Sequence, residues 1–169
     1  MSHDREKVNE IYENLLGEGA EFLAATFFSI RGWKISFDKN NGYDFIIEKE
    51  GKRYYIEVKT RSADFGNESN RMDKRPNNRR FSISEIEHSK SDYVVMTIFA
   101  SKSYASIIIP KKDFYGYTNK KSGRKAYRIG VVANLEDNGM LNILYATSNK
   151  KRLPYSPNNW DNFDRTSVG

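Results

Sequence analysis

The chain has 169 residues, no cysteine, and a formal net charge of +6 from 28 Lys and Arg against 22 Asp and Glu. The lack of cysteine excludes disulfides, thiolate catalysis and cysteine-ligated zinc, while the basic balance puts polyanions, nucleic acid first, at the head of the partner classes. The longest apolar run, around Tyr93 to Ala100, is far shorter than the roughly 20 residues of a membrane helix, and no basic, apolar-cored leader opens the sequence, so the expected location is cytoplasmic.

No Pro/Gly/Ser-rich linker divides the chain, and a single domain over residues 1–169 is expected. From Asp4 to Arg31 the residues Leu16, Ala20, Leu23, Phe27 and Ile30 recur at steps of four and three, which predicts a helix with that stripe toward the core. Gly17 and Gly19 predict a break into two consecutive helices near "LLGEGAE", and Gly32 predicts the stop. Short β-rich segments follow at 33–37, 43–49 and 53–59, the last two joined through Glu50-Gly51-Lys52 as a hairpin within a meander. The polar stretch from Ser62 to Arg80 carries Arg71, Lys74, Arg75, Arg79 and Arg80 but few apolar residues, and predicts a long functional or disordered loop. A capping-box spacing from Ser82 to Glu85 predicts a short helix over 82–90. Strands are predicted at 92–100, at 104–110 up to Pro110, at 126–133 and at 141–147, before an irregular tail whose Trp160 and Phe163 pack back on the domain. Hairpins with two helices define an α/β (α+β) domain built on a central mixed β-sheet flanked by helices.

The chemistry concentrates in "YYIEVKTRS" (54–62). Strand alternation puts Tyr54, Ile56 and Val58 on one face and Tyr55, Glu57 and Lys59 on the other. Asp44 heads the preceding strand, and a hairpin brings it toward Glu57 and Lys59. Two carboxylates a few ångströms apart repel unless a positive charge separates them, and a hard divalent cation with oxygen ligands does this. A lysine beside it can orient an attacking water or stabilise charge on a phosphate. Glu-x-Lys alone recurs about once by chance in a chain of this length; its weight comes from the Asp one strand earlier and the glutamate-bearing helix upstream.

With those residues in place, "GEGAEFLAATFFSIRGW" followed by "GYDFIIEKEGKRYYIEVKTRS" resembles the PD-(D/E)XK nuclease superfamily, nearest in pattern to archaeal Holliday-junction resolvases and Mrr-like restriction endonucleases. The resemblance covers residues 17 to about 100 and implies a restriction-endonuclease-like core. It implies that Asp44 matches the aspartate of the "PD" element, with Tyr43 in place of proline, and that Glu57 and Lys59 match the second acidic ligand and the lysine. It further implies that Glu21 matches the helix glutamate, since it precedes Gly32 by 32 − 21 = 11 residues. A helical wheel prefers Glu21 over Glu18, which shares a more polar face with Asn14, Phe22 and Ser29. Under this resemblance the protein is an endodeoxyribonuclease dependent on Mg²⁺, with Mn²⁺ able to substitute. Asp44, Glu57 and the Val58 carbonyl would hold the metal, Glu21 would support a second ion or its water shell, and Lys59 would position the water. DNA is the implied partner, and a homodimer the arrangement that cuts two strands.

Blander readings stand beside these. Asp44, Glu57 and Lys59 can form a cross-strand ion-pair ladder contributing at most about 1 kcal/mol, and the scaffold can serve a non-catalytic DNA-binding or assembly module. Arg61, with Thr60 and Ser62, lies where a phosphate could be met at the strand exit; Arg71, Lys74, Arg75, Arg79 and Arg80 are candidates for gripping a DNA backbone, as is the cluster Lys120, Lys121, Arg124 and Lys125 near Tyr115 and Tyr117. His88 reads as a surface or capping residue rather than a general base, and "GEGAE" lacks the pattern of a phosphate-binding loop.

Overall fold

The computed structural model describes residues 2–38, 42–63, 74–156 and 159–163. Helix α1 (Ser2–Ile30) runs without interruption, so the break expected at Gly17 and Gly19 does not form. Each glycine costs roughly 1 kcal/mol against alanine. Burial of Ala20, Ala24, Ala25 and Phe28 on one face supplies more than that. The buried stripe is turned from the expected one: Ile30 remains 70% exposed, and the small alanines let the helix lie close on the sheet. A Cβ added at Gly19 meets no atom within 4 Å. Gly19→Ala is therefore expected to stabilise the protein by about 0.5–1 kcal/mol, read as a rise in thermal midpoint; an unchanged or lower midpoint contradicts this account of the helix.

The helix stops where the sequence says. Gly32 has φ +85°, its N–H donates to the Ser29 carbonyl at 3.0 Å, and the Trp33 N–H donates to the Phe28 carbonyl at 3.1 Å. This is a Schellman motif, closed by an edge-on contact of the Phe28 and Trp33 rings. The chain then forms β1 (Lys34–Ser36), β2 (Phe45–Lys49) and β3 (Lys52–Ser62). Glu50 and Gly51, with φ of 51° and 77°, make the two-residue turn between β2 and β3, the left-handed pair that matches strand twist. After them come β4 (Asn77–Ser84), α2 (Glu85–Lys90), β5 (Tyr93–Phe99) and β6 (Tyr104–Pro110). Four further strands follow: β7 (Tyr115–Thr118), β8 (Lys125–Leu135), β9 (Leu141–Ser148) and β10 (Lys151–Arg152).

The first sheet has the order β1-β2-β3-β5-β6 and is mixed, with β3 and β5 parallel and its other pairs antiparallel. One face is covered by α1 and by Trp160 and Phe163, which pack on Phe28 as expected of the tail. Asn159 ties that tail to the edge strand: its side chain accepts from the Ile108 N–H and donates to the Ile108 carbonyl, both at 2.8 Å. The sheet edge is blunted there without another strand. The other face is covered by a second, antiparallel sheet of order β10-β9-β8-β4, with β7 also on β8, rather than by helices. Val94, Met96 and Ile98 meet Phe81, Ile83, Ile129 and Val131 between the sheets.

Three expectations change here. Residues 77–80, expected in a loop, are strand, because alternate positions Phe81 and Ile83 are buried and β4 pairs with β8 along its whole length. Tertiary pairing outweighs the polar composition. Strands β7 and β10 were not expected. Helix α2 starts two residues later than the Ser82–Glu85 spacing indicates: Ser84 is the N-cap, its hydroxyl accepts from the Glu87 N–H at 3.2 Å, and the Glu87 carboxylate accepts from the Ser84 N–H at 2.7 Å.

Candidate active site

The β2–β3 register sets Phe45 opposite Ile56, so Asp44 falls opposite Glu57 on the face turned away from α1. Asp44 is held at both ends. Its N–H donates to the Ile56 carbonyl and its Oδ2 accepts from the Val58 N–H, each at 2.8 Å. Glu57 is 5% exposed, flanked in the parallel register by Val94, and its carboxylate lies 2.8 Å from Lys59 Nζ. The same ammonium donates to Glu87 at 2.7 Å. Lys59 thus bridges a carboxylate of its own strand and one from the first turn of α2.

Glu87 is the site residue that the sequence reading missed. The sign of it was present, since Ser84 to Glu87 has the same capping spacing as Ser82 to Glu85. Its carboxylate both caps α2 and fixes Lys59.

The electrostatics follow from burial and crowding. Burial pushes the Glu57 carboxyl up to about 8; it outweighs the attraction of Lys59, and the nearby Asp44 and Glu87 add to it. Burial pulls the Lys59 ammonium down, yet Glu57 and Glu87 more than offset this and hold it above its ordinary value. Burial also pushes Glu87 up, but its bonds from Lys59 and from the Ser84 N–H keep it below the usual carboxylate range. Lys59 is thereby held in its protonated form, which suits a donor and a fixed positive charge rather than a base.

Arginines continue the same surface. Arg61 lies two residues beyond Lys59 on the same face of β3, with its guanidinium 5.3 Å from the Phe81 ring centre. Arg79 shares the inward face of β4 with Phe81 and Ile83, and burial together with the charge of Arg61 lowers its pKa. Two like charges brought together beside an acidic cluster form a place for an anionic group. Strand alternation sends Arg80 to the opposite, outward face of β4. Lys74 and Arg75 precede β4 at its far end, where Lys74 pairs with Asp137. Arg71 lies outside the described residues.

Glu21 is half-buried on α1, the layer over the other face of the first sheet, and Glu18 is exposed. Among the described residues no three acidic or histidine side chains converge as a complete metal cage. The donors are nonetheless of the hard oxygen type. Asp44, Glu57 and Glu87 are three carboxyl groups near one ammonium, and burial, more than the neighbouring carboxylates, raises Glu57 to about 8. Oxygen donors of this type suit a hard divalent cation, whose binding would displace the Glu57 proton. His88 does not join the cluster; its ring stacks on Tyr127 with centroids 3.6 Å apart.

Comparison with known proteins bears on this arrangement. The family model described as "Protein NO VEIN, C-terminal" matches residues 20–107, the span that holds α1's buried stripe, the hairpin and Glu87. No curated protein matches the chain. A bacterial homing endonuclease, I-Ssp6803I, is similar in fold, with a TM-score of 0.51 at 15% identity, over 92% of this chain and 95% of that one. Among the described residues no helix is long and apolar enough to cross a membrane.

Proposed function

The chain belongs to the NO VEIN C-terminal family, and from that membership together with the site's geometry we propose that it is a divalent-cation-dependent endodeoxyribonuclease of the PD-(D/E)XK type. The observation that carries this reading is the pinned Asp44 opposite the buried Glu57–Lys59 pair, with Arg61 further along the same face and Arg79 near Arg61 on the facing sheet. The endonuclease-like fold supports DNA as the substrate class.

Asp44, Glu57 and the Val58 carbonyl are the groups that would hold Mg²⁺ or Mn²⁺; Glu21 sits on α1 over the opposite face of the sheet and is not brought beside them. When bound, the ion supplies Lewis-acid activation of a water and neutralises charge on the phosphate. The chain's own groups do the rest. Asp44 is kept in place by two backbone bonds. Lys59, fixed by Glu87, presents an N–H to the attacking water or to a phosphate oxygen, and its permanent charge stabilises the extra negative charge that develops there. Arg61 and Arg79 hold the flanking phosphate, while Lys74, Arg75 and Arg80 add charge elsewhere. A symmetric homodimer would bring two such sites to two strands.

A second reading, a DNA-binding or assembly module that does not cut, draws on one observation: Lys59 already neutralises carboxylates in the place where a metal would do so. Supercoiled plasmid and a four-way junction, incubated with Mg²⁺, Mn²⁺ or EDTA, separate the two. Wild type is expected to cut with either metal and not in EDTA, and Asp44→Asn, which keeps an acceptor for the Val58 N–H, is expected not to cut. Equal behaviour of wild type and Asp44→Asn on both substrates sinks the catalytic reading, and retained gel retardation then favours the binding module. Preference for the junction over linear duplex of the same sequence points to resolution, and discrete bands point to restriction.

A further inference from the structure

The outward face of the second sheet carries an array that the site does not use. Tyr127, Ile129 and Val131 of β8 face the core, so Ala126, Arg128, Gly130 and Val132 face out. The register sets Tyr117 beside Ala126 and Tyr115 beside Arg128, and further along it sets Thr147 beside Gly130 and Tyr145 beside Val132. Three tyrosines therefore stand in one line along the same side of β8. All three are partly exposed.

Each ring has a cation with it. The Arg128 guanidinium lies 4.0 Å from the centre of Tyr117, and Tyr115 also helps to keep it charged. Arg152 lies 4.6 Å from the centre of Tyr145. The Tyr117 hydroxyl reaches across β8 to Ser82 of β4 at 3.2 Å, which fixes the ring. Arg80 is exposed on β4, next to Gly130 in register. None of the outward positions of β4, β7, β8, β9 or β10 carries Asp or Glu. Beyond Tyr117 the β7–β8 turn adds exposed Lys120, Lys121 and Arg124.

We propose that this face is a second nucleic-acid site, a platform for an extended single strand whose bases stack on Tyr115, Tyr117 and Tyr145 and whose phosphates meet Arg80, Arg128 and Arg152. Charge selects a polyanion, and the aromatic rings select one with exposed flat faces. Spacing decides between single strand and duplex. Tyr115 and Tyr117 are successive outward positions of one strand, about 7 Å apart, and Tyr145 stands two such steps beyond Tyr115, about 14 Å by the same rise; both intervals exceed the ~3.4 Å rise of a stacked duplex strand. Only a strand whose bases are unstacked can place them on rings at those intervals. The face is separated from Glu57 and Lys59 by the thickness of the second sheet, so it holds a strand without presenting it directly to the acidic cluster.

The test is fluorescence anisotropy of the full chain in EDTA with labelled oligothymidylate, oligouridylate and a blunt duplex of the same length. Tyr117→Ala with Tyr145→Ala is expected to weaken single-strand binding by about tenfold per ring. Tyr117→Phe with Tyr145→Phe, which keeps the stacking surface, is expected to bind within twofold or so of wild type by the same reasoning. Because binding is read in EDTA, where metal-dependent cleavage does not occur, the outcome is independent of the nuclease reading. Loss on both oligonucleotides assigns a general single-strand site, and loss on one assigns DNA or RNA. The proposal is overturned if the alanine pair binds single strands as tightly as wild type, if its loss on duplex equals that on single strand, or if the phenylalanine pair loses as much as the alanine pair.

Discussion

Glu57→Gln is expected to abolish metal-dependent cleavage and, at pH 9, to raise the thermal stability of the protein above that of wild type. The reasoning starts from a buried carboxyl whose pKa stands at about 8 against an ordinary 4.5. Between those values the folded protein holds a proton that the unfolded chain has released, so the stability of wild type falls as pH rises through that window and the penalty is complete above about 8. Glutamine imitates the protonated form at every pH. The two proteins should therefore melt together near pH 5 and separate as pH climbs, by on the order of a few kcal/mol at most, since Lys59 remains to be left with Glu87 alone. Mg²⁺ should stabilise wild type increasingly from pH 6 to pH 9, because binding must displace that proton, and should leave Glu57→Gln unmoved. Melting curves at pH 5 and 9, with and without Mg²⁺, check both parts. A Glu57→Gln protein that melts at or below wild type at pH 9 removes the claim that Glu57 is held at a cost to stability.

Such a cost is expected where function and folding disagree, and it explains what could be read from the sequence. That Asp44, Glu57 and Lys59 share a face was legible because it is local: alternation along Tyr54–Lys59 and a two-residue turn fix it, and neither depends on distant chain. Phe163 and Trp160 were legible because large aromatics in a polar tail have few stable places except the core. Strand β4 was not legible. Its polar first half becomes strand only by pairing with β8, some fifty positions later, and that pairing then splits Arg79 and Arg80 between two faces. The start of α2 was misplaced because Ser82 and Ser84 each precede a glutamate by three residues, and only the burial of Phe81 and Ile83 decides between them. That two-residue choice determines whether Glu87 caps the helix, and with it whether Lys59 has a second partner.

The largest loss of activity is expected from Lys59→Ala, on the order of 10²–10³ in cleavage rate, with DNA retardation retained. The ammonium is the single positive charge among Asp44, Glu57 and Glu87, and two carboxylates aim it. Without it, Glu57 remains protonated to still higher pH, since burial persists and the attraction that opposed it is gone. Glu87→Gln should cost less, about tenfold, because amide oxygen still accepts from Lys59 but no longer fixes it as firmly. Its signature is non-additivity. If Glu87 acts only by placing Lys59, the double variant Lys59→Ala/Glu87→Gln will cut no more slowly than Lys59→Ala alone. Single-turnover cleavage of plasmid at saturating Mg²⁺ measures all three. Additive losses would give Glu87 a task of its own at the phosphate, whereas equal rates for the single lysine variant and the double variant make the α2 cap the device that sets the catalytic lysine.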